Sequence, residues 1–232
     1  MDGIQVITRA AAILRALKDG QAGLSLGQIA EKVGLPRSTV QRIVAALVSE
    51  RLLMTSGRNA GVRLGPELQT LAEAARLATV DECRSHLLRL AAQTGETVDL
   101  SVLRGGQMVF VDQVQGTQRL RAISSVGEHF PLTTTACGRA VLALLTEAEA
   151  QDLVRAEAAD WPAVRRMLEI TRANGVALDL DDHTEGISAI GIAFIDRGGD
   201  LYAISVPIPT PRFADQRSGV TEALLRLLAE LS

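Results

Sequence analysis

With 232 residues, 47% of them apolar, the chain has material for two domains, each with its own core. No apolar run approaches the roughly 18 residues of a membrane span, Arg9 and Arg15 interrupt the apolar start that a secretory leader needs, and Cys83 and Cys137 are too few for a disulfide framework, so a cytoplasmic protein with no membrane partner is expected. The net charge of −3 is uneven: residues 1–65 hold nine Lys and Arg against four Asp and Glu, a net of +5, and the remainder holds fifteen against twenty-three, a net of −8. A basic head on an acidic body directs only the head toward a polyanion.

The head reads as three short helices and a hairpin. The first helix, about Val6 to Leu17, keeps Ala10, Ile13, Leu14 and Leu17 on one face and stops at Gly20. The second opens on a capping box, Ser25 with Gln28, and Leu24 and Ile29 are spaced as a hydrophobic staple around it. Gly34 supplies a left-handed cap at its end, and Pro36 opens the third helix, where its missing N–H costs nothing. Two short apolar segments around the turn in RLLMTSGRNAGVRLG form a small hairpin.

From Pro66 to about Gln93 the pattern is helical, with an expected break near Thr79. TVDLSVLRGGQMVFVDQV alternates about Gly105-Gly106 and reads as a hairpin, and LRAIS (120–124) as a further strand. Helix is expected over Ala140–Leu153 and Pro162–Asn174. A second long hairpin turns at Gly198-Gly199, and an amphipathic helix closes the chain from Phe213 to Leu231. Two antiparallel hairpins with interspersed helices define an α+β body that resembles the GAF and profilin-like sensor folds.

A helix, a tight turn at VGLP and a second helix make a helix-turn-helix. In the third helix Val40, Ile43, Val44 and Leu47 fall on one face, which leaves Ser38, Arg42, Ala45 and Ser49 opposite, flanked by Thr39 and Gln41. That face suits a major groove: Arg42 can fork onto guanine, Gln41 onto adenine, and Ala45 leaves room for a thymine methyl. Arg37, Ser38 and Thr39 sit at the helix N-terminus, where phosphate is favoured. Arg58 at the hairpin tip, Arg63 on its return strand and Arg9 on the first helix complete the expected set of contacts to double-stranded DNA.

LSLGQIAEKVGLPRSTVQRIVAALVSERLL followed by VRLG resembles the DNA-binding domain of the IclR family of bacterial transcriptional regulators. The likeness continues through GEHFPLTTTACGRAVLA, similar to that family's loop before the central helix, and through GISAIGIAFIDRGGDLYAISVPIP, similar to its terminal hairpin. The resemblance implies a winged helix-turn-helix over residues 1–65, a linker helix over 66–79, and an effector-binding and oligomerisation domain over 80–232. It also implies a dimer or dimer of dimers on a palindromic operator, read here as a repressor, with no cofactor. Carried onto this chain, the effector site takes backbone donors around Ala136 and Cys137, the acid Asp179, an apolar wall of Ile187 and Ala189, and the hydroxyl of Ser205. Thr133 stands where the family commonly has His, and Pro207 where a small polar residue often sits. N–H groups ahead of a helix favour an organic acid, and the two departures favour one less polar than a short dicarboxylate or keto acid.

Rival readings of the body are chemical. Cys137 with His129 eight residues before it could serve a Cys-dependent hydrolase or transferase carrying an accessory DNA module, but no signature frames the cysteine. Cys83 and His86 at i, i+3 give no recognised metal spacing, so no metal is expected. The acidic run DLDDHTE reads as a solvated loop, with His183 exposed in it.

Overall fold

The computed structural model describes residues 5–18, 23–55 and 61–231, with the backbone alone at Ala75 and Arg76. The chain divides into two compact units, Met1–Leu77 and Ala78–Ser232. In the first, α1 (Gln5–Ala16), α2 (Leu26–Val33) and α3 (Arg37–Ser49) precede a hairpin of β1 (Leu53–Thr55) and β2 (Val62–Leu64). Gly20 and Arg58, the expected stop of α1 and the expected tip of the hairpin, lie outside the described residues.

The capping box forms as the sequence requires. Ser25 Oγ accepts from the Gln28 N–H at 3.3 Å, and the Gln28 amide oxygen accepts from the Ser25 N–H at 2.9 Å. Gly34 closes α2 at φ 64°, and its N–H reaches back to the carbonyls of Ala30 and Glu31. Ile13, Leu17, Ile29, Val40, Ile43, Val44 and Leu47 make the core with Leu53 and Val62 from the hairpin. Leu24 also pairs with Val62 through two backbone bonds, so the wing gains a third strand-like segment. Gly61 permits this approach: a Cβ there would lie 2.6 Å from the Leu24 nitrogen.

Helix α4 (Glu67–Thr94) is unbroken, contrary to the expected break near Thr79. It contains neither Gly nor Pro, and the Thr79 hydroxyl donates to Asp196 at 2.9 Å instead of capping a new helix.

The second unit is built on a six-stranded antiparallel sheet in the order β5-β4-β3-β8-β7-β6. Its strands are β3 (Val98–Arg104), β4 (Gln107–Val114), β5 (His129–Phe130), β6 (Ala177–Thr184), β7 (Ile187–Ile195) and β8 (Leu201–Pro209). Alternation along the strands sorts large from small. Ile190, Ile192 and Phe194 of β7 and Tyr202, Ile204, Val206 and Ile208 of β8 face one way. There they pack on Leu87 and Leu90 of α4 and on α8 (Thr210–Leu231). Ala193 and Ala203 face the other way, against α5 (Ala136–Leu144), α6 (Glu147–Ala156) and α7 (Trp161–Asn174).

Three expectations for this unit are corrected. LRAIS is irregular: Leu120 and Ile123 are exposed, and the strand in this region is the short β5 on the outer edge of β4. The helix expected over Ala140–Leu153 is two, because Thr146 and Glu149 form a second capping box that starts α6 after α5 has ended. The acidic run is a strand rather than a loop, although Asp181, Asp182, Thr184 and Glu185 are exposed as expected. Residues 177–184 form β6, bulged where the register shifts between Leu180 and Thr184, with Asp181 at φ 62°.

Candidate functional site

On α3, Arg37, Ser38, Gln41, Arg42, Ala45 and Ser49 are exposed, while Val40, Ile43, Val44 and Leu47 are buried beneath them. Thr39 and Arg42 share a groove of about 460 Å³ with Val6, Arg9 and Ala10 of α1. Arg9 is held there by a 3.1 Å bond to Gln5. Arg63 is exposed on β2, its side-chain stem running over Gly23. Arg9, Thr39 and Arg42 thus share one groove, and the other expected positions of α3 and β2 are exposed.

In the second unit the stretch before α5 explains why Thr, Cys, Gly and Arg follow one another. Thr135 caps α5: its hydroxyl accepts from the Gly138 N–H at 3.1 Å and donates to the Pro131 carbonyl at 2.6 Å. Gly138 is required by close packing, since a Cβ would lie 2.4 Å from Leu132 Cα. Gly191 on β7 gives the matching clearance beneath Ala136, at 3.0 Å. Arg139 is buried and spans loop and sheet, donating to the carbonyls of Thr133 (2.8 Å) and Leu178 (2.6 Å) and pairing with Asp182 at 2.8 Å.

The small residues on this face of the sheet leave a cavity of about 280 Å³ under the start of α5. Ala136, Cys137, Asp179, Ile187, Ala189 and Ser205 all line it, as does Pro207. Thr133 does not. Its hydroxyl and N–H are both directed to the Glu157 carboxylate at the end of α6, at 2.7 and 3.0 Å, and the Leu132 N–H joins them at 2.6 Å. The residue is therefore a fastening of the loop rather than part of the wall.

Of the lining residues that the expected site lacks, Asp99, Phe110, Phe130 and His183 bear most on its chemistry. Asp99 is 2% exposed, sits opposite Ser205 in the β3–β8 register, and accepts from Gln113 Nε2 at 2.7 Å and from Ser124 at 3.4 Å. Burial pushes its carboxyl up to about 6. The signal was its position: between Val98 and Leu100 on an alternating strand, it must point to the same face as Ser205. Phe110 and Phe130 pack at 4.6 Å between centroids, and His183, expected to be exposed, lies edge-on to Phe130 at 4.9 Å. Asp179 accepts from the N–H groups of Asp182 (2.9 Å) and His183 (3.3 Å), and burial still raises its carboxyl.

The rival chemistries find little here. Cys137 is buried, its thiol is pushed up to about 11 by burial, and its hydrogen bond is to Thr135, whereas His129 is exposed and bonds to Gln107. Cys83 is in the core and His86 pairs with Glu230 at 3.3 Å. Among the described residues no three His, Cys, Asp or Glu side chains gather as a metal site, and no helix is long and apolar enough to cross a membrane.

A winged helix-turn-helix joined to an α+β domain with a cavity under its central helix defines a ligand-sensing transcriptional regulator. The family models agree: the IclR helix-turn-helix domain matches residues 6–56, and the bacterial transcriptional regulator IclR C-terminal domain matches 72–232. The chain belongs to the IclR family. It is 43% identical to the HTH-type transcriptional regulator Rv1719 of Mycobacterium tuberculosis, covering 99% of this chain and 92% of that protein. It is 35% identical to the HTH-type transcriptional regulator TtgV of Pseudomonas putida, covering 97% and 89%. The IclR transcriptional regulator of Alicyclobacillus acidocaldarius superimposes with a TM-score of 0.61 at 25% identity, over 100% of this chain and 98% of that one.

Proposed function

We propose that the chain is a cytoplasmic repressor, and not an enzyme, that acts as a dimer or dimer of dimers and leaves its operator when a small molecule occupies the cavity under α5. The observation that carries this reading is the cavity itself, enclosed by the α5 loop and strands β7 and β8 of the matched effector domain. The two copies of α3 enter successive major grooves, so the operator is a palindrome with half-sites about one helical turn apart, ~10 base pairs. Arg42, Gln41 and Ala45 meet base edges, while Arg9, Arg37, Ser38, Thr39 and Arg63 hold the phosphate backbone; Arg58, outside the described residues, is assigned a backbone or minor-groove contact from its sequence position alone. Residues 1–65 are the DNA-binding domain, 66–79 the linker, and 80–232 the sensing and assembly domain.

Arg42→Ala is expected to weaken operator binding about tenfold, ~1.4 kcal/mol, and to relax preference at one base position. A fluorescence titration against operators varied base by base reads both effects, and unchanged affinity and preference would remove the assignment. Ser205→Ala is expected to raise the ligand concentration needed for DNA release while leaving the affinity of the ligand-free protein intact. Release at the wild-type concentration would show that Ser205 only packs against its neighbours.

A further inference from the structure

The cavity's charge selects its ligand. Its acidic and basic lining is Asp99, Glu128, Asp179 and His183, beside the Cys137 thiol, and among the described residues no Lys or Arg lines it. Arg139, a buried cation on α5, is already committed to Asp182 and to the carbonyls of Thr133 and Leu178. An organic acid entering here would therefore meet carboxylates with no Lys or Arg in the wall, in a site where burial strengthens the repulsion. A hydrogen-bond donor meets the reverse: acceptor oxygens, deepest of all at Asp99, which is 2% exposed and accepts from the neutral Gln113 and Ser124. Apart from the hydroxyls of Ser124, Thr135, Thr184 and Ser205, the rest of the wall is largely apolar and includes Phe110, Phe130, Ile187, Ala189 and Pro207. At about 280 Å³ the space lies below the range for drug-sized molecules, roughly 300–1,000 Å³.

Building on the reading of this cavity as the effector site, we propose that it takes a compact, ring-sized apolar molecule whose head is a hydrogen-bond donor, a hydroxyl or a protonated amine, seated at Asp99, and that it disfavours carboxylates. The head donates to an Asp99 oxygen beside Ser205, its register partner on β8, and the ring packs against the Phe110–Phe130 pair. The helix N-terminus at Ala136 alone does not offset three carboxylates, because it is equivalent to only about half a positive charge.

Benzyl alcohol, benzylamine and benzoate share one ring and differ in the head, so they serve as probes on the full-length protein by calorimetry and thermal shift. At least one of the two donors is expected to bind about tenfold or more tighter than benzoate. Asp99→Leu, which removes the acceptor, is expected to lower that affinity about tenfold. Asp99→Asn separates the heads: it keeps an acceptor for the alcohol and removes the charge that holds the amine. Benzoate binding as tightly as both donors, indifference of the donors to Asp99→Leu, or no donor binding at millimolar concentration each overturns the proposal. Ile187→Trp, which fills the cavity, tells this failure from failure of the site. If it abolishes binding while benzoate leads, only the choice of head falls; if all bound probes ignore it, the cavity is not where they bind.

Discussion

Arg212→Met is expected to cost the second unit about 3–5 kcal/mol, because it strands a buried charge. Glu96 has no exposed side-chain surface, and both of its oxygens are held by Arg212, from Nε at 2.6 Å and from the terminal nitrogen at 2.7 Å. That two-pronged geometry is particular to guanidinium, so Lys would not substitute. Arg212 also donates to the Leu120 carbonyl at 2.6 Å, fastening the segment that carries Ala122, Ile123 and Ser124 to the cavity. Urea unfolding followed through Trp161, the chain's single tryptophan and a residue of α7, reports this unit. Adding Glu96→Gln should recover much of the loss, since the stranded charge is then gone. If Arg212→Met costs as much in the Glu96→Gln background as it does beside the native Glu96, the ion pair is not the cause.

That pair marks the limit of what the sequence discloses. Its partners stand 116 positions apart, and no local pattern joins them. The head is the opposite case: Ser25 with Gln28, Gly34, and the spacing of Val40, Ile43, Val44 and Leu47 are local signals, and local hydrogen bonds and one helix face are what they specify. In the body the long hairpins were equally legible, because glycine pairs fix the turns and alternation fixes the faces. β6 was hidden by its own charges. Asp179 and Asp182 look solvated in a list of residues, yet one is satisfied by backbone N–H groups and the other by Arg139. Thr133 was misplaced because a motif fixes only the loop's position in the chain, whereas the direction of each side chain depends on Glu157, which lies in a different helix. Asp99 could have been found from the alternation, had each strand been read for what its small-residue face must carry.

Asp99→Asn is expected to stabilise the second unit above pH 7 and to leave it unchanged near pH 4. In the unfolded chain an aspartate titrates near 3.9, whereas in the folded protein burial raises Asp99 to about 6. Between those values the folded state holds a proton that the unfolded state has released, so stability falls as pH rises through this window. The stabilising contribution is complete below the unfolded value and lost above the folded one. Two pH units correspond to ~3 kcal/mol at most, a shift in which burial already outweighs the Gln113 and Ser124 hydrogen bonds that favour the charged form. Asn keeps the shape and an acceptor for Gln113 while removing the charge, so the variant should gain up to about 3 kcal/mol over the wild type at pH 8. Urea midpoints taken at intervals from pH 4 to pH 8 measure the difference. A gap that does not change with pH would mean that Asp99 keeps its ordinary acidity and that the cavity is wetter than its enclosure implies. A gap that opens between pH 4 and 6 would establish a carboxylate held at a cost to stability, at the position where a donor-headed ligand would relieve it.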